Sequence, residues 1–405
     1  MPIMRNSLIW FFAAVLLSAC SGRGGLQRSN PAACGMDEER FALVDSVVAA
    51  AIDERVTPGA VVAVVRGDKI AFLKAYGQRQ TVPSELPMTE NTVFDLASVS
   101  KCLGTTIAVM QLIEQGRLRL TDRVDRYIPG FVNWQDADGE DPITIQDLLT
   151  HSSGLPSYIH PQSYLSEHPS ADADSLMAYI ATELPRSCKP GTKQIYSCLG
   201  FITLQHVVEQ ITGERLCDYV QRNVFDALGM NSTCYFPIDG SRPVPPECAA
   251  TEVLEDGHVL LGEVHDPTAR LINKGNSGNA GVFSSAPDIC VMAAALMNGG
   301  EILGRRILGR ETVRLMFEIP RDNDPAVGRA LGWDTYGDKA VTSGDIFDKD
   351  STFGHTGYTG TSIIMNMRTR TAVIILANRV HPTDSGSMAA TRAAIANIVA
   401  GAVVQ

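Results

Sequence analysis

The apolar residues near the start of this chain follow two spacings, one typical of a helix and one of paired strands. The first set recurs every three or four residues between positions 37 and 54 and consists of Phe41, Val44, Val48 and Ile52. That spacing places them on one face of a helix. Two short apolar runs follow at 60–65 and 70–76, and the residues Arg66-Gly67-Asp68-Lys69 between them predict a hairpin turn.

A second pair of apolar runs lies near the other end of the chain, at 362–367 and 371–377, and predicts two buried strands. A closing helix is expected over 387–403. Residues from 98 to about 298 have mainly helical and loop patterns. Since strands come from both ends of the chain, we predict an α/β (α+β) fold. It consists of one antiparallel sheet flanked by helices, with the helical middle as a large insertion.

Composition and charge limit the possible functions. Hydrophobic side chains make up 45% of the 405 residues, and the net charge is −11. This acidic balance argues against a nucleic-acid partner, which needs clustered Lys and Arg.

No linker or repeat divides residues 36–405, so we predict one domain, with a sheet part (about 36–90 and 300–405) and a helical part (about 91–299). The active cleft is expected between the two parts.

The first 20 residues have the pattern of a targeting segment. Arg5 precedes an apolar run from Leu8 to Leu17 that is too short to span a bilayer. The run ends in Leu-Ser-Ala-Cys, which resembles a bacterial lipobox with Cys20 as the lipidated residue; ordinary secretion with cleavage near Ala19 is the alternative. Residues 21–35 are then expected to be a flexible tether. We predict a bacterial cell-envelope protein that is held to a membrane by a lipid anchor, with the membrane face left open.

The remaining eight cysteines have irregular spacing. Cys102, Cys217 and Cys290 fall within apolar helical patterns and are expected to be buried free thiols. Any disulfide pairing stays open. No Cys/His cluster has the spacing of a zinc site, so we predict no metal and no cofactor.

Ser98 and Lys101 are the first candidate catalytic residues. They precede an amphipathic helical run, and a spacing of three places both side chains on one face of a first helical turn. A lysine whose pKa is lowered by desolvation or by positive neighbours can take the proton of a serine hydroxyl. A helix N-terminus also aims backbone N–H groups at a developing oxyanion. A serine near a helix start is often only a cap, so the pair needs support from the rest of the chain.

Two further segments place polar residues where a cleft could use them. Tyr196 follows the turn Pro190-Gly191 and precedes an apolar helical run that begins at Phe201, so it stands at a loop-to-helix junction. The segment 353–361 has small residues on both sides of Thr356, which lets a strand backbone approach a ligand closely. Simple core packing of the tyrosine, and a bulge or tight turn at the glycines, are the alternatives.

Three segments, in this order, resemble the signature of the serine β-lactamase and penicillin-binding protein superfamily. They are Ser98-Val99-Ser100-Lys101, Tyr196-Ser197-Cys198 and His355-Thr356-Gly357. That signature is S-x-x-K, then Y-x-N, then K-T-G or a variant such as H-x-G. The motifs look most like the class C β-lactamase-related branch, which also holds D-alanyl-D-alanine peptidases, D-aminopeptidases and family VIII esterases. Strings at 148–156 and 278–285 are similar to the same branch. The resemblance extends from about Met36 to the C-terminus and implies the fold predicted above.

The resemblance also implies a mechanism. Ser98 would attack a carbonyl and form an acyl-enzyme, with Lys101 as the first candidate base and Tyr196 as its partner. The oxyanion hole would consist of the backbone N–H groups of Ser98 and Tyr358. The other substrate-binding candidates on this segment are His355, Thr356 and Gly357.

Two departures from the family pattern bear on the substrate. Cys198 replaces the asparagine of Y-x-N, and a thiol is a weak donor and acceptor. His355 replaces the lysine of K-T-G, so the positive charge there becomes conditional on pH. Both changes reduce the expected β-lactam hydrolysis. Arg379 could replace the lost cation, although a surface or structural role is the favoured interpretation.

Three other residues near these motifs are given structural roles. His151 is expected to fix its loop, because the chain has no G-x-S-x-G elbow for a Ser-His-Asp triad. Asp95 is interpreted as a helix-start charge. Trp333 either floors the pocket or packs in the core.

The leading hypothesis is a lipid-anchored serine hydrolase that acts on esters or D-amino-acid amides. A penicillin-binding D,D-peptidase or weak β-lactamase is the second hypothesis. A non-catalytic lipoprotein that binds wall fragments is the third. The expected partner is a small-molecule or peptidoglycan-derived substrate, and the oligomeric state stays open. Replacing Lys101 with alanine separates the classes, since an enzyme would lose acylation and a binder would keep its ligand.

Overall fold

The computed structural model describes residues 25–237, 239–320, 328–335 and 343–404. Cys20 and the predicted signal peptide lie outside the described residues. The helices, numbered in chain order, are α1 Phe41–Asp53, α2 Ile107–Glu114, α3 Ile145–Leu149, α4 Pro161–Glu167, α5 Ala173–Thr182, α6 Cys198–Thr212, α7 Leu216–Val220, α8 Asp226–Leu228, α9 Pro267–Leu271, α10 Ala286–Met297, α11 Arg310–Met316 and α12 Ala389–Ala402. A π-helical segment, Lys101–Thr106, leads directly into α2, and a second, Gln221–Phe225, lies between α7 and α8.

The strands of the described residues belong to one large sheet and several small ones. They are β1 Gln27–Arg28, β2 Gly59–Arg66, β3 Lys69–Gln80, β4 Leu86–Pro87, β5 Val93–Asp95, β6 Trp134–Asp136, β7 Gly139–Asp141, β8 Cys234–Tyr235, β9 Ala250–Val253, β10 Val259–Leu261, β11 Val282–Ser285, β12 Glu301–Ile302, β13 Arg305–Arg306, β14 Asp334–Thr335, β15 Thr352–Thr356, β16 Ser362–Asn366 and β17 Thr371–Ala377.

The large sheet has the order β1-β3-β2-β17-β16-β15-β14, with β4 paired to β3. Its strands come from both ends of the chain, as predicted, and β17 joins the two groups by pairing antiparallel with β2 along its whole length. The pairing of β1 with β3 is parallel, and the other pairs are antiparallel. The predicted hairpin is formed by β2 and β3, and the two predicted C-terminal strands are β16 and β17.

Alternate residues of the central strands enter two different cores, which is the expected result for a strand buried on both faces. In β2, Val61, Ala63 and Val65 belong to the core shared with α10 and the helical middle of the chain. Val62 and Val64 belong to the core shared with α1 and α12. The sheet is therefore covered by helices on both faces.

A smaller sheet of β5, β11 and β8 carries the Ser98 segment at its end. β5 and β11 are antiparallel, with Asp95 opposite Phe283. The Leu96 N–H then donates to the Val282 carbonyl at 3.0 Å, which continues the pairing for one residue beyond β5. This fixes the point from which the chain turns into the helix that holds Lys101.

Residues 25–35 differ from the flexible tether predicted over 21–35. Leu26 is buried, and β1 pairs with the edge strand β3. The Ser29 N–H also donates to the Ile70 carbonyl at 2.9 Å. Composition alone did not reveal this, because the pairing uses backbone groups and a single apolar side chain.

The cysteines of the described residues, from Cys34 onward, are free thiols, and Cys102, Cys217 and Cys290 are buried as predicted. Within the same residues no helix combines the length and apolar character that crossing a bilayer requires.

Candidate active site

Ser98 follows β5 through a tight turn that a buried carboxylate holds in place. Asp95 accepts the Ala97 N–H at 2.8 Å and the His265 N–H at 2.7 Å. Ala97 has a positive φ of 46°, a conformation that costs energy for a residue other than glycine. Burial raises the pKa of Asp95, although the two backbone hydrogen bonds act in the opposite direction. Asp95 is thus a turn-holding residue rather than the helix-start charge that the sequence suggested.

Lys101 is fully buried and its ammonium group meets three acceptors. It donates to Ser98 Oγ at 3.1 Å, to the Asn279 carbonyl at 2.8 Å and to Cys198 Sγ at 3.5 Å. An ammonium has three N–H bonds, so this arrangement uses its full donor capacity. Burial lowers the pKa of Lys101, but interactions with Cys198 and Tyr196 outweigh it and raise the pKa above its usual range. Lys101 is therefore a cation at rest.

Tyr196 lies just before α6, where His151 fixes the backbone. The Ser197 N–H donates to His151 Nδ1 at 2.9 Å, and the two rings of His151 and Tyr196 are 4.3 Å apart. The expected loop-fixing role of His151 is therefore confirmed. Desolvation raises the pKa of Tyr196 above its ordinary value, although the Lys101 charge and a hydrogen bond with Ser98 act in the opposite direction and 36% of the residue is exposed at the cleft. The three side chains of Ser98, Lys101 and Tyr196 thus meet, as the sequence predicted.

Cys198 is the first residue of α6 and lies beside Lys101. Its N–H donates to the Ser157 carbonyl at 2.7 Å, and its Sγ contacts Lys101 Nζ. The thiol therefore occupies the position that the family motif gives to an amide side chain.

The turn after β15 is tied to the Ser98 segment by two threonine hydroxyls. Thr359 donates to the Asp95 carbonyl at 2.8 Å, and Thr361 donates to the Leu96 carbonyl at 3.0 Å. Gly357 allows this close approach, since a Cβ there would lie 2.4 Å from the Leu96 carbonyl oxygen. Within the part of the chain that the structure describes, the backbone N–H groups of Ser98 and Tyr358 have no protein acceptor. Both are thus available to an oxyanion.

His355 is buried in β15 with its ring 6.0 Å from that of Tyr196. Its Nδ1–H donates to the Thr356 carbonyl at 2.9 Å, while Nε2 has no partner among the described residues. Burial lowers the pKa of His355 to about 4, against the raising effect of Asp334. Burial therefore keeps the imidazole uncharged near neutral pH, and the expected pH-dependent charge is present only under more acidic conditions.

The open cleft beside Ser98 has a volume of about 340 Å³. Its walls are formed by Ser98, Tyr196, Thr356, Gly357, Tyr358, Arg379, Gly386, Ser387, Met388 and Arg392. Arg379 stacks on the Tyr358 ring at 4.5 Å and forms an ion pair with Asp384 at 2.7 Å. The sequence favoured a surface or structural role for Arg379, but the structure places it in the cleft wall. Arg392 was missed, although an arginine within the apolar pattern of the closing helix was a usable signal.

Arg329 and Asp334 were also missed. Arg329 is 2% exposed and lies with its guanidinium carbon 5.7 Å from the centre of the Tyr196 ring. It forms an ion pair with Asp334 in β14. The adjacent Trp333 is fully buried and packs on Phe317, so it belongs to the core. No motif marks this pair in the sequence.

The family model described as beta-lactamase matches residues 44–398. The chain belongs to the beta-lactamase family. Among curated proteins, this family member is 33% identical over 350 residues to an N-acetylmuramyl-L-alanine amidase of Bacillus subtilis (strain 168), covering 80% of this chain and 78% of that protein. It is also 30% identical over 405 residues to a protein of Escherichia coli (strain K12) provisionally named D-alanyl-D-alanine carboxypeptidase, covering 93% and 92%.

Solved structures support the same fold. The structure of EstCE1, a hydrolase with promiscuous acyltransferase activity, superposes with a TM-score of 0.71 at 24% identity, covering 90% of this chain and 99% of that chain. The predicted superfamily, fold class and serine-hydrolase class are therefore confirmed for this beta-lactamase-family protein.

Proposed function

We propose that Ser98 is the nucleophile of this serine hydrolase and carries the acyl group during turnover. The supporting observation is that Ser98, Lys101 and Tyr196 meet at one cleft, with Lys101 Nζ 3.1 Å from Ser98 Oγ. Ser98 Oγ forms a bond to the substrate carbonyl carbon, and the carbonyl electrons move to its oxygen. The backbone N–H groups of Ser98 and Tyr358 receive that oxygen. Water then releases the acyl group in a second attack.

Tyr196 takes the proton of Ser98 in this proposal, and Lys101 supports it. Lys101 donates its three N–H bonds to acceptors and carries a charge at rest, so it has no free lone pair to act as the base. Its charge favours the phenolate form of Tyr196. When the tetrahedral intermediate collapses, Tyr196 returns the proton to the leaving oxygen or nitrogen.

The substrate class that fits best is a peptide with a free carboxylate, such as a peptidoglycan-derived D-amino-acid peptide. Arg379 and Arg392 lie in the cleft wall, and Asp384 balances one of these two charges. This local excess of positive charge stands against a net charge of −11 for the whole chain. An anionic substrate is therefore favoured at the cleft by charge. Two curated relatives carry the names of an amidase and a carboxypeptidase, which supports the same choice over a neutral ester.

The same proposal places the enzyme in the bacterial cell envelope through lipid attached at Cys20. Its support is the Leu-Ser-Ala-Cys sequence after an apolar run, because lipidation needs a cysteine at that point. The test is the intact mass of the protein purified from membranes. An added diacylglycerol on an N-terminal Cys20 is expected, and an N-terminus at another residue would refute the anchor.

The hydrolase proposal is tested by intact mass after incubation with a fluorophosphonate and, separately, with a labelled penicillin. Adducts are expected on Ser98 and are lost in Ser98→Ala. Lys101→Ala should lose acylation, whereas a protein that only binds wall fragments would keep its ligand.

Carboxylate recognition is tested by comparing hydrolysis of an acyl-D-alanyl-D-alanine peptide with that of its C-terminal amide. The free acid is expected to react faster, and Arg379→Met should reduce this preference. Arg222→Met serves as the control, since Arg222 is an exposed arginine paired with Glu214. Equal rates for acid and amide would contradict the proposed substrate class.

A further inference from the structure

Tyr196 is in contact with a second buried cation that the sequence did not indicate. The Arg329 guanidinium lies over the Tyr196 ring at 5.7 Å, and Lys101 Nζ lies over the same ring at 5.1 Å. Arg329 is 2% exposed, so solvent screens its charge little. Asp334 pairs with it from β14.

A buried guanidinium usually serves as a structural donor that ties several backbone groups together. Arg392 has that character, since its Nη2 donates to the carbonyls of Gly357 and Thr361 at 3.1 and 2.9 Å. Arg329 differs, because its Nε and Nη2 have no partner among the described residues. Its contacts among those residues are a carboxylate and an aromatic ring rather than a set of backbone carbonyls, so its charge is what it brings to Tyr196.

The strand that faces Tyr196 supplies no charge of its own near neutral pH. His355 stands at the position of the motif lysine, and its imidazole is buried and uncharged near neutral pH. Lys101 is then the one other cation in contact with the Tyr196 ring within the described residues. At an effective dielectric constant of about 20, an unpaired positive charge 5.7 Å away would shift the ionisation equilibrium of Tyr196 about a hundredfold toward the phenolate. Asp334 offsets part of it.

We propose that Arg329, held by Asp334, is a positioning residue that favours the phenolate form of Tyr196 in place of the missing strand cation. This inference rests on the proposed role of Tyr196 as the base. Arg329 acts through Tyr196 and does not need to touch the substrate.

The other groups that face Tyr196 leave this effect measurable. His151 and His355 have rings 4.3 and 6.0 Å away, and burial lowers the pKa of both. Neither histidine therefore changes its charge as the pH rises above neutral. Among the described residues, Ser98, Lys101 and Cys198 also interact with Tyr196.

The test measures the rate at which a fluorophosphonate labels Ser98 as a function of pH in the full chain. The rate should rise with the ionisation of Tyr196 and reach a plateau. In Arg329→Met we expect the midpoint of that rise to move up by about one pH unit, so that labelling near neutral pH falls about tenfold. Arg329→Lys should keep most of the wild-type profile, because it keeps the charge.

Asp334→Asn provides the opposite perturbation. It removes the negative charge beside Arg329, so the midpoint should move to lower pH. Damage to the fold would lower the rate in both variants without moving their midpoints in opposite directions. Midpoints that stay unchanged, or that move in the same direction, would overturn the inference, and thermal unfolding of each variant checks the fold.

Tyr196→Phe separates the failure of this inference from the failure of the proposed base. If Tyr196→Phe labels with the wild-type rate and pH profile, the base assignment is wrong and the inference fails with it. If Tyr196→Phe abolishes the pH-dependent rise while Arg329→Met leaves the wild-type midpoint in place, the inference alone is refuted.

Discussion

Gly357→Ala should disable the oxyanion site without touching a reactive side chain. A Cβ at this position would lie 2.1 Å from Thr361 Oγ1 and 2.4 Å from the Leu96 carbonyl oxygen. Ordinary contact begins near 3.4 Å, so the turn must move away from Leu96 by about 1.0 Å. The Tyr358 N–H moves with it. Loss of one oxyanion donor typically costs about 3 to 4 kcal/mol of transition-state stabilisation, which corresponds to about 10² to 10³ in rate.

The assay is the rate at which a fluorophosphonate labels Ser98, with urea unfolding measured on the same samples. Overpacking should lower the free energy of unfolding by about 1 to 3 kcal/mol, so the variant is expected to fold at low temperature. The matched control is Gly200→Ala in α6, where the nearest atom to a new Cβ is 3.6 Å away. Labelling of the control should equal that of the wild type. If Gly357→Ala is folded and labels Ser98 at the wild-type rate, Tyr358 N–H does not serve the oxyanion.

Three further predictions concern single side chains. Asp95→Ala leaves two buried backbone N–H groups without their acceptor and should lower the free energy of unfolding by about 3 to 6 kcal/mol, measured by urea unfolding, with Asp95→Asn losing about half as much. Burial raises the pKa of Asp288 to about 6 from 3.8, so the folded state binds this proton more tightly than the unfolded chain does. Protonation of Asp288 contributes at most about 3 kcal/mol to the free energy of unfolding, and this contribution is present below pH 4 and lost as the pH rises through 6. The free energy of unfolding of Asp288→Asn, measured against pH, should lack this decrease. Cys198→Asn restores an amide beside Lys101 and should speed Ser98 acylation by a labelled penicillin about threefold to tenfold, the value of one hydrogen bond; an unchanged or lower rate would argue against a substrate contact at position 198.

Sequence patterns predicted the parts of this fold in which local spacing and tertiary burial agree. The β2–β3 hairpin and the β16–β17 pair are continuous apolar runs, and both lie at the centre of the sheet. The side chains of three motif residues also meet as expected, namely those of Ser98, Lys101 and Tyr196. Each residue stands close to the start of a helix, which the sequence pattern predicts.

What the sequence could not show depends on distant chain segments that come together. Arg329 lies 133 positions after Tyr196 in the sequence and reaches its ring only because β14 is the edge strand beside β15. The uncharged state of His355 follows from its burial, which is a property of the packed sheet rather than of the motif. Residues 25–35 pack through backbone pairing, which leaves almost no trace in composition.

The position of β1 fixes where the described chain begins relative to the cleft. Gln27 pairs with Lys69 beside the β2–β3 turn. Because β1 runs parallel to β3, the residue before Gln27 lies toward that end of the sheet. The cleft lies at the other end of the same strands, since β17 starts opposite Arg66 and is followed by Arg379 in the cleft wall. The seven residues of β17 separate the two ends by about 20 Å. Gln27 and the cleft therefore lie at opposite ends of these strands, so the β1 end of the sheet is remote from a substrate bound beside Ser98.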